Sequence, residues 1–375
     1  MDSKKKINRS SPKIRVLVCP LEWGLGHAAR CIPVIKELLL YDCEVFVGAE
    51  GAILSLLEIE FPQINFLPLA GYRIKFSKNN SFILWKIASQ FPRIIYTIYN
   101  EKRWLKKMLK QYKINAVISD NRFGLYNRSV ICIYITHQLL IKTGNIFTSK
   151  IAQRIHHYFI NKYDECWVPD FFGKDNLAGE LSHPLIVPEN VRYIGGLSRF
   201  EKKEKVAKKY DLIIILSGPE PQRTFFEEKL LDDLLFFNEK TLIIRGLPGN
   251  IQSIQSGKQT IEIINHLSAN KLCEAIQQAD IVISRSGYTT VMDLIKLNKK
   301  AILIPTPGQT EQEYLAHYLK EKNIFFSVNQ EDFNLINTLE EFSKFQCTIP
   351  VFDMEEYKSS IQSFLDLIKS SIPEN

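Results

Sequence analysis

Short apolar runs rich in β-branched residues recur along the chain, most followed by a turn carrying Gly or Ser and then by a segment with helical spacing. The run KIRVLVC over 13–19 predicts a buried first strand, the turn PLEWGLGHAAR follows it, and CIPVIKELLL is amphipathic with a helical period. EVFVGAE predicts a second strand ending at Glu50, YKINAVISD one ending at Asp120, and SVICIYITHQ one ending near Thr136 and His137. DECWVPD is expected to close this first sheet, and the charged stretch VRYIGGLSRFEKKEKVAKKYD reads as a connection, with the domain boundary near residue 200. A second series opens with DLIIIL and the turn SGPEPQRTFFEE, continues through TLIIRG and TIEIINHLSANKL, and reaches ADIVI over 279–283. There the turn at 284–287 hands the chain to a helix, and AILIPTPG is the next strand and turn. Between the first series' strands, residues 82–113 form a long helical pattern, aromatic at its start and basic at its end, which Pro92 is expected to kink or divide. The tail MEEYKSSIQSFLDLIKSS reads as an amphipathic helix. Strand and helix patterns alternating through both halves predict two α/β domains.

Composition narrows the class. The 375 residues suit two domains, and 45% hydrophobic with 24% charged residues is ordinary for a globular protein. No apolar run approaches the ~18 to 20 residues of a membrane span. The first 12 residues are a basic tail with no apolar stretch behind it, unlike a signal peptide. Seven cysteines without a C-x-x-C pair argue against a disulfide framework and a zinc site, so a cytoplasmic location is expected. The formal charge of +7 suits anionic substrates or an anionic membrane surface, and no nucleic-acid motif accompanies it.

Candidate chemistry concentrates in two turns. The turn Ser284, Arg285, Ser286, Gly287 opens a helix, where unpaired backbone N–H groups and the helix dipole favour an anion such as phosphate. With about 3.6 residues per turn, Ser286, Thr290 and Asp293 share a face, so a carboxylate that can accept ribose hydroxyls lies two turns behind the anion seat. Gln309, Glu311 and Gln312 follow the next strand and suit sugar hydroxyls. In the other turn, Gly24, Gly26 and Ala29 fit a dinucleotide fingerprint, with Glu50 26 residues after Gly24 as the ribose carboxylate. The same turn carries His27, an imidazole that titrates near neutrality beside glycines that let an acceptor approach. If KIRVLVC and NAVISD flank the topological switch, Asp120 emerges beside His27 and can orient it. His137 is a further acceptor-side candidate, and Arg223 can pair with phosphate or with Glu227 one helical turn on.

SRSGYTTVMD followed by PTPGQTEQEY resembles the nucleotide-sugar half of glycosyltransferase family 28 and its relatives: the N-acetylglucosaminyltransferase that makes lipid II, the galactolipid synthases and the UDP-glucuronosyltransferases. GLGH resembles the first Gly-rich loop of the same group, and is shared with a related sugar-nucleotide hydrolase of pseudaminic acid synthesis. The resemblance implies the GT-B arrangement, two Rossmann-like doubly wound α/β domains facing across a cleft. Residues 13–200 would form the acceptor side, 201–352 the donor side, and 353–375 a helix returning to the first domain. It places the diphosphate at Ser286 and Gly287, the ribose at Asp293 and the sugar at Gln312 with Glu313. Ser217 and Gly218 match a phosphate loop, and His266 and Leu267 the loop that meets uracil. Asp293 stands where the family has Glu, and Glu313 where it has Gln.

The implied reaction is inverting, metal-independent transfer of a sugar from a nucleoside-diphosphate donor, UDP-linked, to an acceptor hydroxyl, with His27 as base and Asp120 its partner. The nucleotide sugar is a co-substrate, and no tightly bound cofactor is implied. The acceptor is a lipid-linked, glycan or small molecule, and the helix over 82–113 either packs on the core with a solvated basic end or docks on the inner face of the cytoplasmic membrane. A sugar-nucleotide hydrolase, an NAD-dependent enzyme and a non-catalytic sugar-nucleotide-binding protein remain open at this point.

Overall fold

A computed structural model describes residues 13–73, 83–143, 145–247 and 257–371; the expected basic tail lies outside them. The first sheet has seven parallel strands: β1 (Arg15–Cys19), β2 (Glu44–Ala49), β3 (Asn65–Pro68), β4 (Ala116–Asp120), β5 (Ile131–Ile135), β6 (Glu165–Val168) and β7 (Val191–Tyr193), in the order β3-β2-β1-β4-β5-β6-β7. The helices between them are α1 (Leu25–Leu40), α2 (Gly51–Glu60), α3 (Ile83–Tyr112) and α4 (Ile146–Ile160). Along β1 the period of two is plain: Val16 and Val18 enter one core layer, Leu17 and Cys19 the other, and all four are buried.

The second sheet has six parallel strands: β8 (Tyr210–Ile215), β9 (Thr241–Ile244), β10 (Ile261–Ile264), β11 (Ala279–Ser284), β12 (Ala301–Leu303) and β13 (Phe326–Ser327), in the order β10-β9-β8-β11-β12-β13. Its helices are α5 (Gln222–Leu234), α6 (Ala269–Gln277), α7 (Tyr288–Leu297), α8 (Thr310–Glu321) and α9 (Leu335–Lys344). In both sheets the strand order reverses beside the first strand of the series, between β1 and β4 and between β8 and β11. Strand ends there open a crevice, the place where doubly wound sheets bind ligands.

Two expectations change. The first sheet does not close at DECWVPD: Val191, Arg192 and Tyr193 pair in parallel with β6 as a seventh strand. Three residues before two glycines show no periodicity, so a charged connection masks the strand. Pro92 does not divide the long helix, which runs from Ile83 to Tyr112. A single proline removes one backbone hydrogen bond, and the turns on either side keep theirs.

The last helix, α10 (Tyr357–Ser371), leaves the second sheet and packs on the first. Tyr357, Ile361, Phe364, Leu365 and Ile368 join the core layer of Val16, Ile32, Ile35 and Trp167, with the Phe364 and Trp167 rings edge to face at 5.5 Å. Phe364→Ala is expected to destabilise the protein by about 3 to 5 kcal/mol, read as a lower guanidinium unfolding midpoint at unchanged slope; an unaltered midpoint would show that α10 adds nothing to the first core.

Candidate functional site

The first lobe brings its chemistry to the end of β1. Gly24 takes φ 143°, a conformation that favours glycine, and α1 begins one residue later with no side chain capping its N-terminus. His27 therefore sits on the first turn of α1. Cys19 pairs with Ser119 across β1 and β4, so Asp120 emerges beside it. His27 Nδ1 lies 3.0 Å from Asp120 Oδ2. Arg30, one turn along α1, donates from Nε to both Asp120 oxygens at 2.9 and 3.0 Å, and its Nη2 also meets Oδ1. Arg30 Nη2 is 2.6 Å from His27 Nδ1, and Nη1 is 2.9 Å from His137 Nδ1.

Charge in this cluster is set by burial and by Arg30. Burial alone would raise the Asp120 carboxyl, but Arg30 and His27 hold it below the usual carboxylate range. Burial pushes the His27 imidazole below its ordinary value, Asp120 works against that, and Arg30 adds to the lowering. The ring is thus neutral at neutral pH. In the tautomer whose Nδ1–H is donated to Asp120, the Arg30 Nη2 contact at that nitrogen is not a hydrogen bond, and Nε2 is left able to accept a proton.

In the second lobe β11 ends at Ser284 and α7 begins at Tyr288 behind Gly287, again with no side-chain cap. Its first backbone N–H groups remain available to an anion. The flanking side chains serve the loop. Ser286 Oγ donates to the Gln312 carbonyl at 2.8 Å, and Ser284 Oγ donates to the Arg285 carbonyl at 3.3 Å. Arg285 is buried without a carboxylate and donates to the carbonyls of Ser217, Gln222, Ile304 and Pro305 and, at 2.7 Å, to Gln330 Oε1. Burial lowers its pKa to about 10. Gly218, at φ 105°, turns toward Thr306, whose buried hydroxyl has no hydrogen-bond partner among the described residues; a Cβ at Gly218 would lie 3.3 Å from it.

Several sequence-predicted donor residues are already engaged. Asp293 is buried and accepts from Ser198 Oγ at 2.7 Å, with Arg199 Nε at 3.4 Å. Arg223 takes the alternative partner: it pairs with Glu220 at 2.6 Å and Glu227 at 3.1 Å, because both carboxylates lie one helical turn or less away. Gln312 accepts from the Thr306 N–H at 3.0 Å and donates to Gln309 Oε1 at 2.5 Å, while Glu313 accepts from the Gly308 N–H at 2.8 Å. Glu311 is spent on His137, Oε1 to Nε2 at 2.7 Å. Thr290 is half-buried on α7; His266 and Leu267 lie half-buried after β10, and burial followed by Arg199 lowers the His266 pKa.

The two turns face each other. Thr289 Oγ1 donates to the Gly26 carbonyl at 3.2 Å, and a Cβ on Gly26 would stand 3.2 Å from Thr289 Oγ1, so a side chain there would make the hydroxyl give by a few tenths of an ångström. Tyr288 stacks on His137 with centroids 4.3 Å apart and donates to the Pro169 carbonyl at 2.8 Å. Thr310 Oγ1 donates to the Lys142 carbonyl at 2.8 Å. The starts of α1 and α7 therefore converge, with His27 on one side and the uncapped N–H groups on the other.

Residues 241–370 match the Glycosyltransferase family 28 C-terminal domain. Among curated proteins the chain is similar to an uncharacterized glycosyltransferase of Methanosarcina mazei, 23% identical over 336 residues that cover 83% of this chain and 84% of that one. It is also similar to the UDP-N-acetylglucosamine--N-acetylmuramyl-(pentapeptide) pyrophosphoryl-undecaprenol N-acetylglucosamine transferase of Haemophilus ducreyi, 25% identical over 339 residues, 85% of this chain and 87% of that one. The second lobe carries a family 28 glycosyltransferase domain. The fold of the chain is GT-B: the solved MurG of Acinetobacter baumannii superposes with a TM-score of 0.53 at 14% identity, over 96% of this chain and all of that one. The kitacinnamycin glycotransferase does so with a TM-score of 0.63 at 11% identity, over 97% and 100%.

This glycosyltransferase does not keep Glu50 for a nicotinamide dinucleotide: the carboxylate accepts from the Gly71 N–H at 2.8 Å and pairs with Arg73 at 3.1 Å. Sequence reasoning missed Arg30, although it stands three residues after His27, on the same face of α1. It also missed Ser198 and Arg199, hidden in the charged connection. Asp120→Asn is expected to lower the His27 pKa further, by about one pH unit, because it removes the charge that favours the imidazolium. An NMR titration of the ring checks this, and a rise would contradict the assignment of charges.

Proposed function

We propose that the enzyme transfers a sugar from a nucleoside-diphosphate donor, UDP-linked, to an acceptor hydroxyl with inversion and without a metal. The observation that carries this is the His27–Asp120 pair set opposite the uncapped start of α7, with Thr289 and Gly26 in direct contact between them. In the proposed step the acceptor O–H gives its proton to His27 Nε2 while its oxygen bonds to the anomeric carbon. The bond from that carbon to the diphosphate breaks on the opposite face. The leaving group keeps the electron pair, and its charge is met by the backbone N–H groups and dipole of α7. Attack and departure on opposite faces invert the anomeric centre. A UDP donor is supported by the Haemophilus ducreyi relative, whose name specifies UDP-N-acetylglucosamine and a pyrophosphoryl-undecaprenol acceptor.

His27→Ala is expected to lower kcat by about 10² to 10⁴ while donor affinity, read by calorimetry against a panel of nucleotide sugars, is unchanged. A variant that transfers at the wild-type rate removes the base assignment, and turnover of donor to free sugar at equal rates with and without acceptor favours hydrolysis. Because the imidazole must be neutral and its pKa is depressed, the acid limb of kcat/KM should lie below the ordinary imidazole value of about 6.5.

A membrane-linked acceptor is supported by the surface beside His137. On α4, Phe147, Ile151, Ile155 and Tyr158 form one exposed stripe at helical spacing, with Lys150 and Arg154 exposed beside it. On α3, Ile95, Tyr96 and Tyr99 are exposed, and Ile94, Ile98 and Phe159 join the two helices beneath. His157 of α4 lies 3.1 Å from the Leu139 carbonyl, two residues past His137. No helix among the described residues is long and apolar enough to cross a membrane, whereas an apolar face with basic flanks suits lying on an anionic one. Sedimentation with anionic vesicles is expected to fall several-fold when Phe147 and Tyr158 become Ala, and when Lys106, Lys107 and Lys110 become Gln; unchanged binding in both removes the membrane reading.

A further inference from the structure

We infer that Arg30, His137 and Glu311 are positioning residues that tie the His27–Asp120 pair of the first lobe to the docking of α8 from the second. The inference rests on the proposed role of His27. The contacts are continuous across the cleft. Glu311 Oε1 lies 2.7 Å from His137 Nε2, His137 Nδ1 lies 2.9 Å from Arg30 Nη1, and Arg30 holds both oxygens of Asp120 and reaches His27 Nδ1 at 2.6 Å.

The direction of the two His137 bonds follows from their groups. A guanidinium only donates, so His137 Nδ1 accepts from Arg30 and the ring carries its proton at Nε2, which it donates to Glu311. Both nitrogens of one neutral imidazole are used, one toward each lobe. The Tyr288 ring stacked on His137 holds its plane, and it too comes from the second lobe. Arg30 is a rigid planar fork, so a pull on Nη1 is felt at Nε and Nη2, where Asp120 and His27 sit.

At the far end Glu311 lies on the first turn of α8. That turn is joined to the anion turn by Ser286 Oγ donating to the Gln312 carbonyl at 2.8 Å, and to the first lobe by Thr310. When the second lobe is undocked, His137 Nε2 loses its acceptor and Arg30 is free to shift between Asp120 and His27. The base is then set in one arrangement only when the donor lobe is in place.

The titratable and charged groups around His27 are Asp120 from β4, Arg30 and Cys31 from α1, His137 beyond β5 and Glu311 from α8. A double-mutant cycle on the His27 titration, followed by NMR in the full chain, tests the chain of contacts. Arg30→Gln is expected to raise the His27 pKa by about one pH unit, since it removes a neighbouring positive charge. Glu311→Gln is expected to lower it by about half a unit with Arg30 present, and by clearly less once Arg30 is Gln, when only the direct charge effect of Glu311 on His27 remains. Arg30→Lys keeps the charge but cannot span Asp120 and His137 together, so it too should shrink the Glu311→Gln effect to its direct part, and it serves if Arg30→Gln fails to fold. A Glu311→Gln shift of equal size with and without Arg30, or no shift at all, overturns the inference. No sugar donor enters the measurement, so a failure to transfer sugar leaves it standing, and a failed cycle leaves His27 as the base.

Discussion

A carboxylate with no exposure to solvent sits at the point where the first sheet reverses its strand order. Removing the Asp120 charge from water costs several kcal/mol unless it is paired and hydrogen-bonded, and the fold answers with Arg30 on both oxygens and His27 on one. The arrangement differs from a simple carboxylate–imidazole pair. There the imidazole would be the only counter-charge, and its pKa would rise. Here the guanidinium already neutralises the carboxylate, so the imidazole is oriented without being charged. Burial then keeps the ring neutral. The neutral imidazole that the proposed base requires follows from the arginine as much as from the aspartate.

The two lobes solve a second problem in the same way. Where strand order reverses, the loops leaving neighbouring strands present carbonyls with no ladder partner, and buried carbonyls need donors. Each lobe places a fully buried arginine just past the switch strand. Arg122, two residues after β4, donates to the carbonyls of Ala70 and, at 3.4 Å, Pro20, and pairs with Glu101 at 2.8 Å. Arg285, directly after β11, collects the carbonyls of Ser217, Gln222, Ile304 and Pro305. Five N–H donors in one plane suit this task as a lysine would not. The turns that shape the cleft are therefore held from beneath. Arg285, with no carboxylate of its own, leaves its positive charge under the anion turn, and burial shows in a pKa of about 10.

The strand–turn–helix recurrence was legible in the sequence because buried parallel strands read as continuous apolar runs, and turns between them need Gly or Ser. The adjacency of His27 and Asp120 was legible too, once β1 and β4 were assigned to the two sides of the reversal. What escaped were partners separated by long stretches of chain. Nothing near Asp293 announces Ser198, 95 positions away, and nothing near Glu311 announces His137, 174 positions away. Helical spacing placed Asp293 on the face of Ser286 and Thr290, but spacing says only which side a carboxylate takes and not which group reaches it first. Arg223 shows the opposite case: its local partner Glu227 was visible in the sequence, and local geometry prevailed, with Glu220 added. The strand at Val191–Tyr193 is too short to display a period, so only its pairing with β6 reveals it.

The gap between the lobes has an electrostatic character that no single residue explains. Two helices begin there, each with a partial positive charge of roughly half a unit at its start, neither capped by a side chain. They are held together by Thr289 and Gly26, although like partial charges repel. Carboxylates that lie near are already matched: Asp293 by Ser198 and Arg199, Glu311 by His137, Glu313 by the Gly308 N–H, Glu220 by Arg223, and Glu227 by Arg223 and Arg245. Both helix starts keep their partial positive ends. An anion entering between the two helix starts relieves their repulsion as well as filling their unpaired N–H groups. Under the proposed transfer, leaving-group charge developing there would be favoured more than the same charge in water, where solvent would have to reorganise to meet it.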